Sequence, residues 1–308
     1  MPFTNAYGLY GVSVGSTLLG GITNAALNTG TEVRGEASSG ELYPRIKSTV
    51  AQKPSASWST RSIAAALSAV PLLGMKIADL TGGLKLYAQK HEAGGTRVAG
   101  AAHKQFQVLK GLIFHGNLSA EHQGDAVINS TALITWDGTN NPIIPSESVT
   151  PPTGLTDSER FGLGPVTING VALSAVRSME LALGINAVTE GADGEIWDRF
   201  SSIRTIAPVL TLRGIDPDWF KTTGAIPLIG GPGAHADTIL YLRKRADGGT
   251  FVADGTAEHI RMTAAGLAFI ETPMEVAGSD SSELSLVMPL QFDGTNAPVT
   301  INTASAIT

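Results

Sequence analysis

The segment Gly40-Glu41-Leu42-Tyr43-Pro44-Arg45-Ile46 returns as Gly194-Glu195-Ile196-Trp197-Asp198-Arg199-Phe200, displaced by 154 positions (195 − 41 = 154). The same displacement relates Tyr87 to Tyr241. Near the chain's end, Asp-Gly-Thr-Asn at 137–140 returns at 293–296, now displaced by 156 (293 − 137 = 156). Because chance does not preserve a register over so much chain, the sequence predicts a tandem duplication of one domain.

The two copies are expected to be separate domains, each with its own core. We expect the first domain to span residues 1–143, with an N-terminal arm at 1–10, and the second to span 159–308. The segment between them, residues 144–158, is rich in proline. Proline-rich segments are extended and fairly stiff, so this segment is predicted to be a spacer between domains that lie side by side.

Most of each copy is predicted to be β-structure. Apolar residues mix with Ser and Thr in short stretches, and Asp-Gly-Thr-Asn near the end of each copy is a turn signal. One helix is predicted over Thr60–Val70, with Thr60 as N-cap and Pro71 as the stop, and a shorter one over Gly214–Lys221. The predicted fold class is therefore mainly β with minor α, as two tandem β-sandwich or barrel domains, each with one flanking helix.

The composition favours assembly over nucleic-acid readout or membrane insertion. Charged residues make up only 16% of the chain, against about 25% in ordinary domains, so much of the surface is expected to be covered by partners. The net charge of −6 argues against a basic face that binds phosphate. There is no cysteine, no apolar run of membrane-spanning length and no secretory signal at the N-terminus, which predicts synthesis in the cytoplasm.

Catalytic signals are weak, and we expect no enzyme activity and no cofactor. Gly11-Val12-Ser13-Val14-Gly15 matches a nucleophile elbow, but only ten residues precede it and no helix is predicted to follow, so an esterase built on Ser13 is the least favoured reading. The stretch at 230–233 is Gly-rich but lacks the Lys of a phosphate loop. The six histidines have no metal-ligand spacing and none recurs at the 154-residue displacement, so no metal site is expected.

Four residues of the repeated segment are candidate structural or interface residues: Arg45, Arg199, Tyr43 and Trp197. In both copies a Glu stands four positions before the Arg, and an aromatic residue lies between them. The Glu and Arg are predicted to pair, either inside the domain or across an interface. The alternative is a solvated ion pair, which contributes only about 0–1 kcal/mol.

At residues 40–54, where Gly-Glu-Leu-Tyr-Pro-Arg is followed by Gln52-Lys53-Pro54, the chain resembles the major tail proteins, the tail-tube subunits of long-tailed bacteriophages. The resemblance extends to the Gly-rich N-terminal arm, the helix at 60–70 and the Thr/Ser/Ala-rich strands of both copies. It implies a tail-tube-like β-sandwich, six of which form a ring. Rings then stack around a channel through which DNA leaves the head, and duplicated subunits form trimeric rings with pseudo-sixfold symmetry.

The resemblance further implies a virion tail protein that is assembled in the host cytoplasm. Its partners would be itself, the tail-tip, tape-measure and tail-terminator proteins, and DNA that passes without specific binding. The segments 23–41 and 177–195 are predicted to line the channel with six carboxylates: Glu32, Glu36, Glu41, Glu180, Glu190 and Glu195. The alternative is a capsid-decoration, fibre or lectin-like binding protein, since duplicated sandwiches occur there as well.

Overall fold

The computed structural model describes residues 6–92, 95–154, 159–216, 219, 233–246, 249–275 and 283–308. The predicted class, mainly β with minor α, is confirmed, because the chain has large antiparallel sheets and one α-helix among its described residues, while the duplication into two domains stays a prediction. The first half (residues 6–154) contains twelve strands: β1 (Ala6–Val14), β2 (Thr17–Leu19), β3 (Ile22–Asn28), β4 (Thr31–Glu36), β5 (Ile46–Gln52), β6 (Ser55–Thr60), β7 (Met75–Lys76), β8 (Leu84–His91), β9 (His103–Val108), β10 (Gly111–Glu121), β11 (Val127–Ile134) and β12 (Ile144–Val149).

The second half (residues 159–308) contains ten strands among its described residues. They are β13 (Arg160–Ile168), β14 (Val171–Leu173), β15 (Val176–Ala182), β16 (Ile185–Glu190), β17 (Phe200–Ile206), β18 (Val209–Gly214), β19 (Ala234–Arg245), β20 (His259–Glu275), β21 (Glu283–Pro289) and β22 (Val299–Ser305). The long strand β20 pairs early in its length with β19 and β22 and later with β21. Strand β20 therefore takes part in two sheets. In the first half two separate strands have these places, β9 in one sheet and β10 in the other.

Two sheets enclose the core of each half. In the first half, one sheet has the order β12-β9-β8-β1-β2 and the other has β3-β6-β11-β10. Strand β11 alternates between half-buried and buried positions along its whole length, as a strand with one face on the core should. Large apolar side chains with no more than 2% of their surface exposed fill the space between the sheets, among them Leu84, Trp58, Ile128, Leu118, Leu181 and Leu286.

The predicted helix forms, but it begins later than expected. Helix α1 spans Ile63–Ala69, and Ser62 stands at its N-cap without a side-chain capping bond. Thr60, predicted as the cap, belongs to β6 instead, where its hydroxyl donates to the carbonyl of Gly20 at 2.7 Å. Among the described residues α1 is the one α-helix, accompanied by a 3-10 turn at Ile77–Asp79. Of the shorter helix predicted over Gly214–Lys221, Gly214 is the last residue of β18, and residues 217, 218, 220 and 221 lie outside the described residues.

The predicted arm and spacer are partly built into sheets. Residues 6–10 of the arm are the start of β1, which pairs with β8, while residues 1–5 lie outside the described ranges. Residues 144–149 of the spacer form β12, the edge strand beside β9. Residues 144–149 are therefore extended but hydrogen-bonded to the first half, so this part of the stretch is not a free linker. The domain boundaries themselves stay a prediction.

Candidate assembly surfaces

The two halves are joined by one continuous sheet. Strand β10 of the first half pairs antiparallel with β15 of the second, with Asn117 opposite Ala182 and Glu121 opposite Ser178. A side-chain hydrogen bond also crosses the junction, from Asn117 Nδ2 to Glu180 Oε1 at 3.0 Å. Eight strands follow one another in the order β3-β6-β11-β10-β15-β18-β21-β20, and we call them the shared sheet.

The shared sheet ends in two strand edges. Strand β3 has β6 on one side and ends the sheet there. Residues 269–275 of β20 have β21 on one side, and the pairing of β20 with β19 stops at Ala268. Within the described part of the chain, neither edge has a second neighbouring strand. Exposed edges carry unpaired N–H and C=O groups that readily pair with another strand.

The face of the shared sheet that points away from the core is polar and mostly uncharged. Residues there alternate with the buried positions of each strand, and they include Asn24, Ser57, Asn129, Ser119, Glu180 and Thr211. Other charged groups on this side are Glu121, Arg213, Glu275 and Glu283, and Glu283 pairs with Arg177 at 3.5 Å. The surface is therefore made mainly of short polar side chains, with some apolar ones such as Val287 and a small excess of carboxylates.

Two hairpins extend from the sheets. The first hairpin consists of β4 and β5 (residues 31–52) and the second of β16 and β17 (residues 185–206). In each tip the predicted ion pair forms within the hairpin, between Glu41 and Arg45 in the first and between Glu195 and Arg199 in the second. The hydrogen bond to Glu195 raises the pKa of Arg199. The pairing predicted from the sequence thus occurs inside each tip.

The tip of the second hairpin is docked on the first half. The Trp197 indole N–H donates to Gln52 Oε1 at 2.6 Å, and the Gln52 backbone N–H donates to the Ile196 carbonyl at 2.6 Å. The rings of Trp197 and Trp136 lie 5.5 Å apart between centroids, and the Arg199 guanidinium stands 4.7 Å from the Trp136 ring centre. Aromatic and cation–π contacts of this kind contribute about 0.5–2 kcal/mol each.

The tip of the first hairpin has no such cover. Leu42 is 93% exposed and Tyr43 is 81% exposed, and Val33 and Ile46 on the same hairpin are also exposed. A two-stranded hairpin is marginally stable on its own, and clustered apolar residues on a surface mark contact sites. The first hairpin therefore has the properties of a surface that a partner covers.

The six carboxylates predicted for a channel do not share one surface. Glu180 lies on the polar face of the shared sheet. The other five are on the hairpins: Glu32 and Glu36 on β4, Glu190 on β16, and Glu41 and Glu195 in the tips. Glu190 pairs with Arg204 of the same hairpin. Their exposure to a channel stays a prediction, and the structure divides them into one sheet residue and five hairpin residues.

The catalytic motif has a structural role. Ser13 lies inside β1, where its hydroxyl donates to the Gly15 carbonyl at 2.9 Å, and the strand β2 follows where an elbow needs a helix. A cleft of about 210 Å³ lies where the second hairpin meets the first half, between Thr29, Pro142 and Trp197. This cleft is the boundary between the docked tip and the first half. Neither place combines a nucleophile with a positioned base.

Two histidines form a pair of matching structural contacts that the sequence comparison missed. His103 Nδ1 accepts from the Lys90 backbone N–H at 2.9 Å, and His259 Nδ1 accepts from the Lys244 backbone N–H at 3.0 Å. Both histidines are buried. They are 156 positions apart while the lysines are 154 apart, so a fixed register hides the match. An alignment with a two-residue gap in the preceding loop would have found it.

No helix in the described part of the chain is long and apolar enough to cross a membrane. Among the same residues, no group of three or more His, Asp or Glu side chains is arranged to hold a metal ion. No protein-family model matches the chain, and no curated protein matches it by sequence.

Proposed function

We propose that this chain is a structural subunit that polymerises into rings, and that the rings stack into the tail tube of a long-tailed bacteriophage. The observation that carries the proposal is the edge-to-edge pairing of β10 with β15, which joins the two halves in one sheet. The chain uses strand edges to connect its own halves and leaves two edges at the ends of the same sheet. It therefore has the means to add further copies of itself.

A duplicated domain is supported by the strands as well as by the sequence. Strands β13 to β18 each begin and end 154 residues after β1 to β6 (160 − 6 = 154 for the first pair). In each half the sheet that faces the shared sheet across the core also has the same strand order, β12-β9-β8-β1-β2 in the first half and β22-β20-β19-β13-β14 in the second. Under this proposal β15 is the counterpart of β3, and the later part of β20 is the counterpart of β10.

The free edge of β20 in one chain is then expected to pair with the free edge of β3 in the next chain, as β10 pairs with β15 within the chain. Asn117 lies opposite Ala182 at the junction, so the counterpart register puts Thr272 of one chain opposite Asn28 of the next. Such a contact is heterologous, and it closes into a ring when the rotation per unit divides a full turn. Three chains would supply the six domains that the resemblance to tail-tube proteins implies.

A ring of this kind would have room for a channel. Eight strands from each of three chains give twenty-four strands around the axis. With about 4.8 Å between neighbouring strands, the circumference is about 115 Å and the backbone diameter about 37 Å before strand tilt widens it. This is wider than a DNA duplex.

The polar face of the shared sheet is our candidate for the channel lining. Short uncharged side chains and a small excess of carboxylates, such as Glu121 and Glu180, offer few cations to a phosphate backbone. DNA could therefore pass without being held. The five hairpin carboxylates are predicted from the sequence to face the channel as well. The tail-tip, tape-measure and tail-terminator proteins are the expected partners at the ends and inside the tube.

Negative-stain electron microscopy over a concentration series tests the proposal. We expect stacked rings or hollow tubes with threefold or sixfold end views. Ala26→Pro, in the free edge strand β3, should abolish them, because proline removes a backbone donor and distorts the strand. The matched control is Ala172→Pro in β14, an edge strand of the other sheet, which should leave rings intact. Circular dichroism establishes that both variants fold.

Other outcomes would count against the proposal. Separate globular particles at every concentration would favour a capsid-decoration, fibre or lectin-like protein, and glycan-binding and capsid-binding screens would follow. Should Ala26→Pro fail to fold, Asn28→Cys with Thr272→Cys tests the same contact without removing a hydrogen bond. Rings that form while this pair gives no disulfide between chains would exclude the β3–β20 contact.

A further inference from the structure

We infer that the tip of the first hairpin docks on Phe292 of a neighbouring copy of this chain, in the way that the tip of the second hairpin docks on Trp136 within the chain. The inference rests on the proposed head-to-tail ring. It adds the contact that holds neighbouring chains together beside the paired strand edges, and it names the residues on both sides.

Phe292 occupies the position in the second half that Trp136 occupies in the first. Each residue directly precedes an Asp-Gly-Thr-Asn turn, and each stands two positions after a residue whose backbone N–H donates to a proline carbonyl. The Ile134 backbone N–H donates to the Pro54 carbonyl at 3.0 Å, and the Leu290 backbone N–H donates to the Pro208 carbonyl at 2.8 Å. The backbone frame around the two aromatic residues is therefore the same.

The two aromatic residues differ in cover. Trp136 carries Trp197 and Arg199 against its ring, whereas Phe292 is 60% exposed. At the position that corresponds to Gln52 of the first half (206 − 52 = 154), the second half has Ile206, which is 38% exposed. The second half thus presents an apolar surface at the place where the first half receives a hairpin tip.

The first hairpin presents the matching residues. Tyr43 corresponds to Trp197 and Leu42 to Ile196, and the Glu41–Arg45 ion pair repeats that of the second tip. In the docked position Tyr43 would stack on Phe292, and Arg45 would lie over the Phe292 ring as Arg199 lies over Trp136. The exposed apolar tip of the first hairpin would then cover the exposed apolar surface at Phe292.

Within a single chain, the first tip cannot reach Phe292. The second tip reaches Trp136 because β15 lies beside β10 in the shared sheet. Strand β3, which precedes the first hairpin, lies at one end of that sheet, whereas β21, which precedes Phe292, lies next to the other end. Six strand spacings of about 4.8 Å separate these two strands by about 29 Å. Only a second copy can bring a Phe292 to the first tip.

Cysteine cross-linking tests the contact, since the chain has no native cysteine. In the full chain, Tyr43→Cys combined with Phe292→Cys is oxidised with diamide at a concentration where rings are seen. We expect covalent dimers and trimers on a non-reducing gel, with the trimer accumulating as the ring closes. The matched control is Val50→Cys with Phe292→Cys, because Val50 is exposed on the same hairpin but lies away from the tip. It should give at least tenfold less cross-linked product.

The outcomes separate this inference from the function on which it rests. Rings by electron microscopy without cross-linking of the Tyr43–Phe292 pair, or with equal cross-linking of the control pair, would overturn the docking contact and leave the tube proposal standing. A wild-type chain that forms no rings at any concentration would overturn both. In uncross-linked protein, Phe292→Ala and Tyr43→Ala should each raise the concentration needed for rings roughly tenfold, which corresponds to about 1.4 kcal/mol.

Discussion

The two hairpins are built alike, yet only one of them is covered. Residues 31–52 and 185–206 pair over the same length, and each ladder has a bulge at the same place, after Glu32 in the first and after Asn186 in the second. Tyr43 in the first tip is 81% exposed, whereas Trp197 in the second is partly buried against Trp136. The difference lies in the surroundings and not in the hairpin, because the first tip has no neighbouring half beside it within the chain.

The largest difference in stability is expected between variants in which the aromatic residue of one tip or the other is replaced by alanine. Trp197→Ala removes the stacking on Trp136 and the hydrogen bond to Gln52, so we expect it to lower the free energy of unfolding by about 2–3 kcal/mol. Tyr43→Ala removes an exposed side chain and should change it by no more than about 0.5 kcal/mol. Urea unfolding at a concentration below ring formation measures both.

Equal effects of the two substitutions would contradict the comparison, since they would mean that the first tip is already packed in the single chain. Trp197→Phe is the control for the size of the ring. It keeps an aromatic contact with Trp136 but loses the indole donor to Gln52. We expect it to cost about half as much as Trp197→Ala.

A smaller difference is expected at the glycines where the hairpins begin. Gly30 and Gly184 have φ of +56° and +57°, and a Cβ on them would stand 2.0 Å from the Lys53 carbonyl and 2.2 Å from the Ala207 carbonyl. Alanine at either position is therefore strained. At Gly184 the hairpin can relieve the strain only by leaving its docked position, so Gly184→Ala should destabilise the whole chain by about 2 kcal/mol.

At Gly30 most of the hairpin is exposed and can move, because its hydrogen bonds to the second tip are made by Gln52 at its base. Gly30→Ala should therefore increase hydrogen exchange within residues 31–52 while the midpoint of global unfolding changes little. Hydrogen exchange followed by mass spectrometry, beside thermal unfolding, measures both properties in each variant. Global destabilisation by Gly30→Ala as large as that by Gly184→Ala would show that the two hairpins are equally anchored.

The antiparallel β class and the first helix could be predicted from sequence because they depend on local signals. The apolar face of Ile63 and Leu67 and the stop at Pro71 identify α1. The N-cap was wrong, because Thr60 is the last residue of β6: its hydroxyl donates to the carbonyl of Gly20, forty residues away, and accepts from the Ser62 N–H before the helix begins. The strand that holds Thr60 is set by a long-range contact, which no local capping pattern contains.

Only part of the candidate surfaces could be predicted from the sequence. The repeated Glu-x-x-x-Arg and its central aromatic residue were found, since both copies carry them. The docking of Trp197 on Trp136 was not, because it joins residues 61 positions apart (197 − 136 = 61) through the β10–β15 junction. Strand pairing between halves depends on edges and register, and neither can be read from one weakly alternating sequence.

The halves also differ in the core, and this difference predicts a pH effect. His115 lies opposite Ser130 in the β10–β11 ladder, whereas Ile270 lies opposite Leu286 at the matching place in the second half. His115 is buried, its Nδ1 is 2.9 Å from the Ser130 hydroxyl, and its Nε2 is 3.1 Å from the Val70 carbonyl. Burial lowers the pKa of His115, while the bond to the carbonyl opposes this in part.

A histidine whose pKa is lowered by folding binds protons more readily in the unfolded chain. Its contribution to stability is therefore complete above the ordinary pKa of about 6.5 and decreases as the pH falls below that value. Replacing the pair by its second-half equivalent, in the variant His115→Ile with Ser130→Leu, should remove this contribution to the pH dependence. The free energy of unfolding should then fall less between pH 7 and pH 5 than in the wild type.

Urea unfolding at pH 7, 6 and 5 gives the comparison, with His122→Gln as a control that changes an exposed histidine directly after β10. The carboxylates and the other histidines contribute equally to the wild type and the double variant, so the difference between those two curves isolates His115. Parallel curves for the wild type and the double variant would mean that the first half opens enough in its native state to hydrate this ring. In that case the first core would be looser than the second, and the halves would differ in packing as well as in which hairpin they cover.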